Sequence, residues 1–390
     1  MKIIQRIVSV ASIFVLAVSG FSQSLDDPQK FPEVRIYISK EQQTRLSLVD
    51  GTKLELRHPI LLINDDSMSV KDIHSRGRSS LNFARKSLSV DLKHPATFHL
   101  EGKKLKIKKF DLLNLEMDKN LWHDRWAFMN LAELNMFPLL NTYCKLWIND
   151  TPQGIYLLVE KPNDLGTQLK IPYMIRRGSD HSITQEYVYT TSKEEGRKYK
   201  DQYLGMYRGL SKNKNESLQQ HLQSALDLDH YFTWLAFNYL IMNGDYTDEV
   251  FFYIHPESGV FDIIAWDYDD MFKRTPHEGA EARNAKLNDK MIFSLEDALD
   301  RSIAADELLY GQYCASFRKL LLTTNPTSIE RTLGIVLREL EILMEDQAMA
   351  KASTFMGKDS FNIDKAKEDI RIMGEFLVTR RKSILVRLDK

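Results

Sequence analysis

Only two cysteines, Cys144 and Cys314, occur in 390 residues. Two thiols do not make a disulfide scaffold, and they cannot complete a zinc site unaided. Two buried thiols are the expected arrangement, with a single disulfide as the alternative. Excess charge is also missing: 53 basic residues stand against 54 acidic ones. No global field therefore argues for a nucleic-acid partner, and any basic site must be local. Repeats of 20–50 residues and low-complexity tracts are absent. So are the Walker A and G-x-G-x-x-G patterns. No apolar stretch has the length of a comfortable membrane span, the run Ile7–Val18 near the start included.

That first stretch has a definite layout. Lys2 and Arg6 precede the apolar run Ile7–Val18, and Ser19, Gly20, Ser22 and Gln23 follow. This is the pattern of a secretory signal peptide over residues 1–23, cleaved between about Ser19 and Ser24. No Cys follows to serve as a lipobox. A secreted, periplasmic or cell-surface protein is expected, with no stable membrane span after cleavage.

With 43% hydrophobic residues, the chain can bury a large core, arranged as one bilobal domain or two modest ones. Its organising stretch is Leu240–Phe272. Two apolar runs, Val250–His255 and Val260–Trp266, flank Pro256-Glu257-Ser258-Gly259, a hairpin turn by composition. Acids stand outside both ends: Asp245, Asp248 and Glu249 before, Asp267, Asp269 and Asp270 after. Pairing about the turn centre sets Asp267 opposite a residue near 248, so the acids converge at the ribbon's open end. Such a group repels itself unless a proton or cation is shared. A hard divalent ion with oxygen ligands, Mg²⁺ or Mn²⁺, fits that need. A turn or helix-cap role for each Asp is the plainer reading.

Toward the N-terminus, Glu33–Ile38, Leu54–Leu56 and Ile60–Ile63 read as strands. The loop Arg76-Gly77-Arg78-Ser79-Ser80 is small, polar and basic, suited to phosphate or simply to a surface turn. Lys86 begins an alternating strand, Ser87–Leu92. The basic run Lys103–Lys109 reads as a strand edge guarded by lysine. Helical spacing of Trp122, Arg125, Trp126 and Met129 marks a helix within Asp118–Leu134. Thr142–Ile148 and Ile155–Val159 form a second hairpin, closed by Glu160. Residues 178–217 are polar and read as an insertion or flexible connection. A helix over roughly 218–243, recapped at Asp227, leads to Asp245, and helices dominate after Phe272.

These residues resemble the spore-coat H (CotH-type) kinase family of secreted atypical protein kinases. Arg76-Gly77-Arg78-Ser79-Ser80 with Arg85-Lys86-Ser87 is similar to its N-terminal loop and strand. Trp147–Asp150 through Gly154–Glu160 is similar to its hairpin ending in Glu. Leu226–Asp229, Asn243-Gly244-Asp245, Ala265–Asp269 and Arg380-Arg381-Lys382 follow in the family's order. Where the family usually carries Asn, Glu249 stands. The resemblance implies an α+β, bilobal kinase-like fold, with a β-rich lobe over 31–175 and a mostly helical lobe over 176–390. It implies metal-dependent transfer of the ATP γ-phosphoryl group to Ser or Thr of an exported or surface protein. Asp245 would take the catalytic role. Asp267 and Asp269, with Glu249, would hold Mg²⁺ or Mn²⁺. Arg76, Gly77, Arg78, Ser79 and Lys86 would meet the phosphates, and Glu160 would line the nucleotide cleft.

Two other functions compete. One is a non-catalytic surface, adhesion or scaffolding protein that keeps the kinase-like shape. The other is a secreted hydrolase working with a carboxylate pair, for instance on glycans.

Overall fold

The computed structural model describes residues 31–100, 103–190, 192–277, 289–355 and 357–389. The expected signal peptide lies outside the described residues. Among those described, no helix is long and apolar enough to cross a membrane. The architecture is α+β, with an eight-stranded sheet, a four-stranded sheet, a two-stranded ribbon and a largely helical C-terminal half among the described residues.

The first sheet has eight strands: β1 (Glu33–Tyr37), β2 (Ile60–Ile63), β3 (Asp66–Met68), β4 (Val70–Arg76), β5 (Ser87–Leu100), β6 (Lys103–Leu113), β7 (Asn141–Ile148) and β8 (Thr151–Glu160). Their spatial order is β3-β2-β1-β7-β8-β6-β5-β4. Neighbours are antiparallel except β1 and β7, which run parallel. Successive side chains on a strand point to opposite faces. Ile155, Leu157 and Val159 therefore enter one core, and Tyr156 and Leu158 the other. That two-sided burial explains the unbroken apolar run in β8, which carries no polar alternation.

The lysine-rich run lies in β6, as its composition suggests, and pairs with β5. Beside it, the Lys108 and Lys109 amides donate to the Asp164 carboxylate at 2.8 and 3.1 Å. Part of this edge is thus closed by a side chain as well as guarded by lysine.

The second sheet contains β9 (Tyr173–Arg177), β10 (Ile183–Val188), β11 (Val250–Ile254) and β12 (Phe261–Ala265). Its order is β10-β9-β11-β12. The boundary expected between residues 175 and 176 therefore falls inside β9. Of the two readings of the polar stretch 178–217, an insertion or a flexible connection, the described residues favour the first. The stretch contributes β10 and the helix Lys193–Gly209, whose Tyr203, Met206 and Tyr207 are buried. Those three positions share one helical face, so burial decides the conformation despite the charged remainder.

Between sheet and helices lies α1 as numbered here, His123–Glu133, buried along most of its length. The Asp118 carboxylate accepts from the His123 and Asp124 amides at 2.7 and 3.0 Å, closing its first turn. Arg125 forms a two-pronged pair with Glu339 at 2.8 and 2.6 Å, and Trp126 donates to Thr332 at 3.0 Å. Both partners belong to the helix Pro326–Met344. Both cysteines are free thiols, with Cys144 buried and Cys314 partly so.

Removing one member of a buried ion pair strands the other. Arg125→Met is expected to lower unfolding free energy by about 3–5 kcal/mol, read as a fall in the urea midpoint. A change below about 1 kcal/mol would show that the Arg125–Glu339 pair adds no more than a surface contact.

Candidate functional site

The β11–β12 ribbon has the register expected from its turn, with Val250 opposite Ala265 and Ile254 opposite Phe261. Pairing continues one step further, because the Trp266 amide donates to the Glu249 carbonyl at 3.0 Å. Asp248 and Asp267 thus stand at the open end. Asp267 has φ +53°, a left-handed conformation that Asp tolerates better than most residues. The chain turns there, and the Tyr268 amide donates to Asp124 at 2.7 Å.

Asp245 reaches the same place from the helix Leu228–Ile241, which ends on left-handed Met242. The next residues are stitched to the segment beyond the ribbon. Gly244 donates to the Asp270 carbonyl and accepts from the His277 amide, each at 3.0 Å. A side chain at Gly244 would meet Asp270 Oδ2 at 2.6 Å, so glycine permits this approach. His277 bridges two acids, with Nδ1 2.9 Å from Asp245 and Nε2 2.7 Å from Asp270.

Carboxylate oxygens of Asp245, Asp248 and Glu249 all lie within 4.8 Å of one another. Burial and the neighbouring acids raise the pKa values of Asp245 and Glu249. Asp245 is pushed up to about 6, chiefly by burial and then by Asp248. Asp269 stands well above its ordinary value through burial, Asp267, Asp124 and Asp270. Asp267 is raised by burial, with Arg76 and Arg176 opposing. Two acids not expected from sequence join them. Asp118 and Asp124, at the start of the buried helix, are both raised well above the ordinary range by burial. All-oxygen donors in this density suit a hard divalent cation. A second Asp and His group, Asp227, His230 and Asp262, is accounted for by a helix cap and a 2.9 Å His230–Asp262 contact.

The basic residues divide differently from expectation. Arg76, at the end of β4, pairs with Asp111 at 3.2 Å. Burial works against its charge, but Asp111, Asp267, Glu249 and Asp124 outweigh that and raise its pKa. It is therefore a first-sheet cation associated with the acids of the second sheet. Gly77 has φ +93°, and a Cβ there would collide with Ser80 Oγ, which itself bonds the Arg76 carbonyl at 2.7 Å. Arg78 and Ser79 are exposed in the same loop.

Lys86 is not presented to the acids. Its ammonium donates to the carbonyls of Leu48, Leu81 and Phe83, each at 2.6 Å. Three donors meet three acceptors, so no hydrogen remains for phosphate. Burial lowers its pKa, opposed by Asp50 and Glu116, neither of which belongs to the cluster. Lys86, expected to meet the phosphates, is held by backbone carbonyls instead. Glu160 accepts from the Leu140 amide at 3.2 Å and from Gln168 at 2.7 Å. Burial raises it to about 7, with Asp164 contributing. No hydrogen bond or ion pair described for it reaches the acids.

Two adjacent arginines on β9 were also missed. Strand alternation sends them to opposite sides of the acid-bearing turn. Arg176 pairs with Glu249 and donates to the Asp248 carbonyl at 3.2 Å. Arg177, fully buried, donates to the Thr247 carbonyl at 2.6 Å and lies 3.4 Å from Asp297. An Arg-Arg pair closing an apolar strand is the sequence signal that marks them.

A carboxylate cluster thus stands at the ribbon mouth, with Arg76 of the first sheet acting on Asp267. A family model described as CotH kinase protein matches residues 73–384, and the chain belongs to that family. The inner spore coat protein H of Bacillus subtilis (strain 168) is 21% identical over 234 residues. The aligned part covers 56% of this chain and 63% of that protein, so the chain spans less than two thirds of the relative's length. The match begins within β4 and includes the arginine loop, the ribbon and the acids on both sides of it.

Crowded acids trade stability for a site. Because the folded pKa of Asp269 is raised, its effect on stability is harmless at low pH and becomes a cost as pH rises through that value. Asp269→Asn is expected to raise Tm by about 1–3 °C at pH 7.5, an effect shrinking toward pH 4. Calorimetry in metal-free buffer checks this. A lower Tm at pH 7.5 would mean that Asp269 is stabilised where it stands.

Proposed function

We propose that the protein is an atypical protein kinase, passing the γ-phosphoryl group of ATP to a Ser or Thr hydroxyl of another protein. The observation that carries this reading is the meeting of Asp245, Asp267 and Asp269 at one ribbon mouth with Arg76 from the other sheet. In the bilobal reading the two sheets belong to two lobes, and the nucleotide lies between them. The family description and the relative's spore-coat name support a phosphotransferase acting on exported protein. The sequence layout of residues 1–23 supports export.

Asp267 and Asp269 are the residues suited to hold Mg²⁺ or Mn²⁺. The bound ion would supply positive charge at the β- and γ-phosphate oxygens. Asp245, whose carboxyl titrates near 6, orients the acceptor hydroxyl and takes its proton. The hydroxyl oxygen bonds to the γ-phosphorus while the bond from that phosphorus to the bridging oxygen breaks, and ADP leaves. Arg76 neutralises phosphate charge, with Gly77 letting the loop backbone turn beside it. Glu160 serves the cleft only by fixing the Leu140 backbone.

A non-catalytic binding protein is the second reading, favoured by one observation: Lys86, the expected phosphate lysine, is occupied by three carbonyls.

Labelled ATP with Mn²⁺ and purified protein separates the two. Phosphoryl transfer should appear on the protein itself or on added casein. It should fall about 100-fold or more in Asp245→Asn and in Asp267→Asn. Nucleotide binding without transfer in the wild type would establish the binding protein instead.

A further inference from the structure

Glu249 sits among the acids, yet its carboxylate is already engaged by Arg176. The geometry points to a different division of labour: we propose that Arg176 is the cation that meets the terminal phosphate, and that Glu249 holds Arg176 in place and is not a metal ligand. This deepens, and rests on, the phosphotransferase reading.

Lys86 and Arg177 are committed elsewhere, and Arg76 is shared with Asp111. Lys86 has all three donors on backbone carbonyls. Arg177 is fully buried beneath the turn, bonded to Thr247 and to Tyr231. Arg76 is tied to the buried Asp111, which also accepts from Ser89 at 2.8 Å. Arg176 differs from Lys86 and Arg177 in exposure, and from the equally exposed Arg76 in being bonded directly to the acid-bearing turn. Its side chain is about one-fifth exposed, and its register partner in β11 is Phe251, whose ring centroid lies 6.0 Å from the guanidinium. It donates through Nε to the Asp248 carbonyl and through Nη2 to Glu249. Of its five N–H donors, the remainder are available to an incoming anion. Its charge also acts on Asp267, the first residue beyond the ribbon.

Glu249 is correspondingly ill suited to hold a divalent ion. A guanidinium bonded to a carboxylate oxygen draws on the lone pairs that a metal would use, and it repels the metal's charge. A γ-phosphate arriving beside Asp267 offers Arg176 a second anion with more charge than Glu249 carries. The guanidinium fork can bridge the two without leaving the strand.

The two assignments predict opposite results for one substitution. Affinities for Mn²⁺-bound AMP-PNP and Mn²⁺-bound ADP are measured by calorimetry on wild type, Arg176→Gln, Arg176→Lys and Glu249→Gln. Arg176→Gln is expected to weaken AMP-PNP about 10- to 100-fold while leaving ADP within about threefold, with Arg176→Lys between. Glu249→Gln, which releases Arg176 from its competing anion, should tighten AMP-PNP about threefold. Loss of binding for both nucleotides in Glu249→Gln would make Glu249 a metal ligand and overturn the inference. Equal changes for AMP-PNP and ADP in Arg176→Gln would overturn it too, and ADP binding reports that the variant is folded. A wild type that binds neither nucleotide would sink the phosphotransferase reading itself.

Discussion

Mutual repulsion among carboxylates is the constraint around which the lower half of the molecule is arranged. Asp245, Asp248, Glu249, Asp267, Asp269 and Asp270 are brought to one ribbon mouth, with Asp118 and Asp124 behind them. Left alone, such a group would open the ribbon or drive the helix end away. Hydrogen bonds hold it: the Trp266 amide donates to the Glu249 carbonyl, the His277 amide to the Gly244 carbonyl, and the Tyr268 amide to the Asp124 carboxylate. Positive charge is supplied by Arg76 and Arg176, and the His277 ring bridges Asp245 and Asp270. The remaining imbalance appears as raised pKa values at Asp245, Glu249, Asp267 and Asp269.

The surrounding packing serves that arrangement. The helix Leu228–Ile241 is buried on nearly every side, so its end, and hence Asp245, is fixed by a large apolar contact. Below the acid turn, Arg177 joins Asp297, Tyr231 and the Thr247 carbonyl in a buried polar group. Tyr246 and Tyr231 both reach Asp300, at 3.2 and 2.6 Å. Buried charges of this kind are tolerated only when each has a partner, and the partners here fix the turn in one position.

Much of this was legible in the chain. The ribbon and its register follow from the Pro-to-Gly turn between β-branched and aromatic runs, and they bring Asp248 and Asp267 together. The buried helix at His123–Glu133 is announced by Trp122 and Trp126. Besides the Arg176–Arg177 pair, three features escaped. The fate of Lys86 depends on where the carbonyls of Leu48, Leu81 and Phe83 fall, and no local pattern encodes that. Asp118 and Asp124 look like ordinary helix-start residues, since their proximity to Asp267 is a tertiary fact. The helix Lys193–Gly209 hides its buried face among lysines and glutamates, although the spacing of Tyr203, Met206 and Tyr207 carries the signal.

Proton release on metal binding tests the central claim most directly. If the acids are held protonated by one another and a cation displaces those protons, titration with Mn²⁺ near pH 6 should be saturable. Its heat should vary with the ionisation enthalpy of the buffer, corresponding to release of about one proton per ion. Saturable binding with no buffer dependence, or no saturable binding at all, would contradict a cluster built to receive a divalent cation.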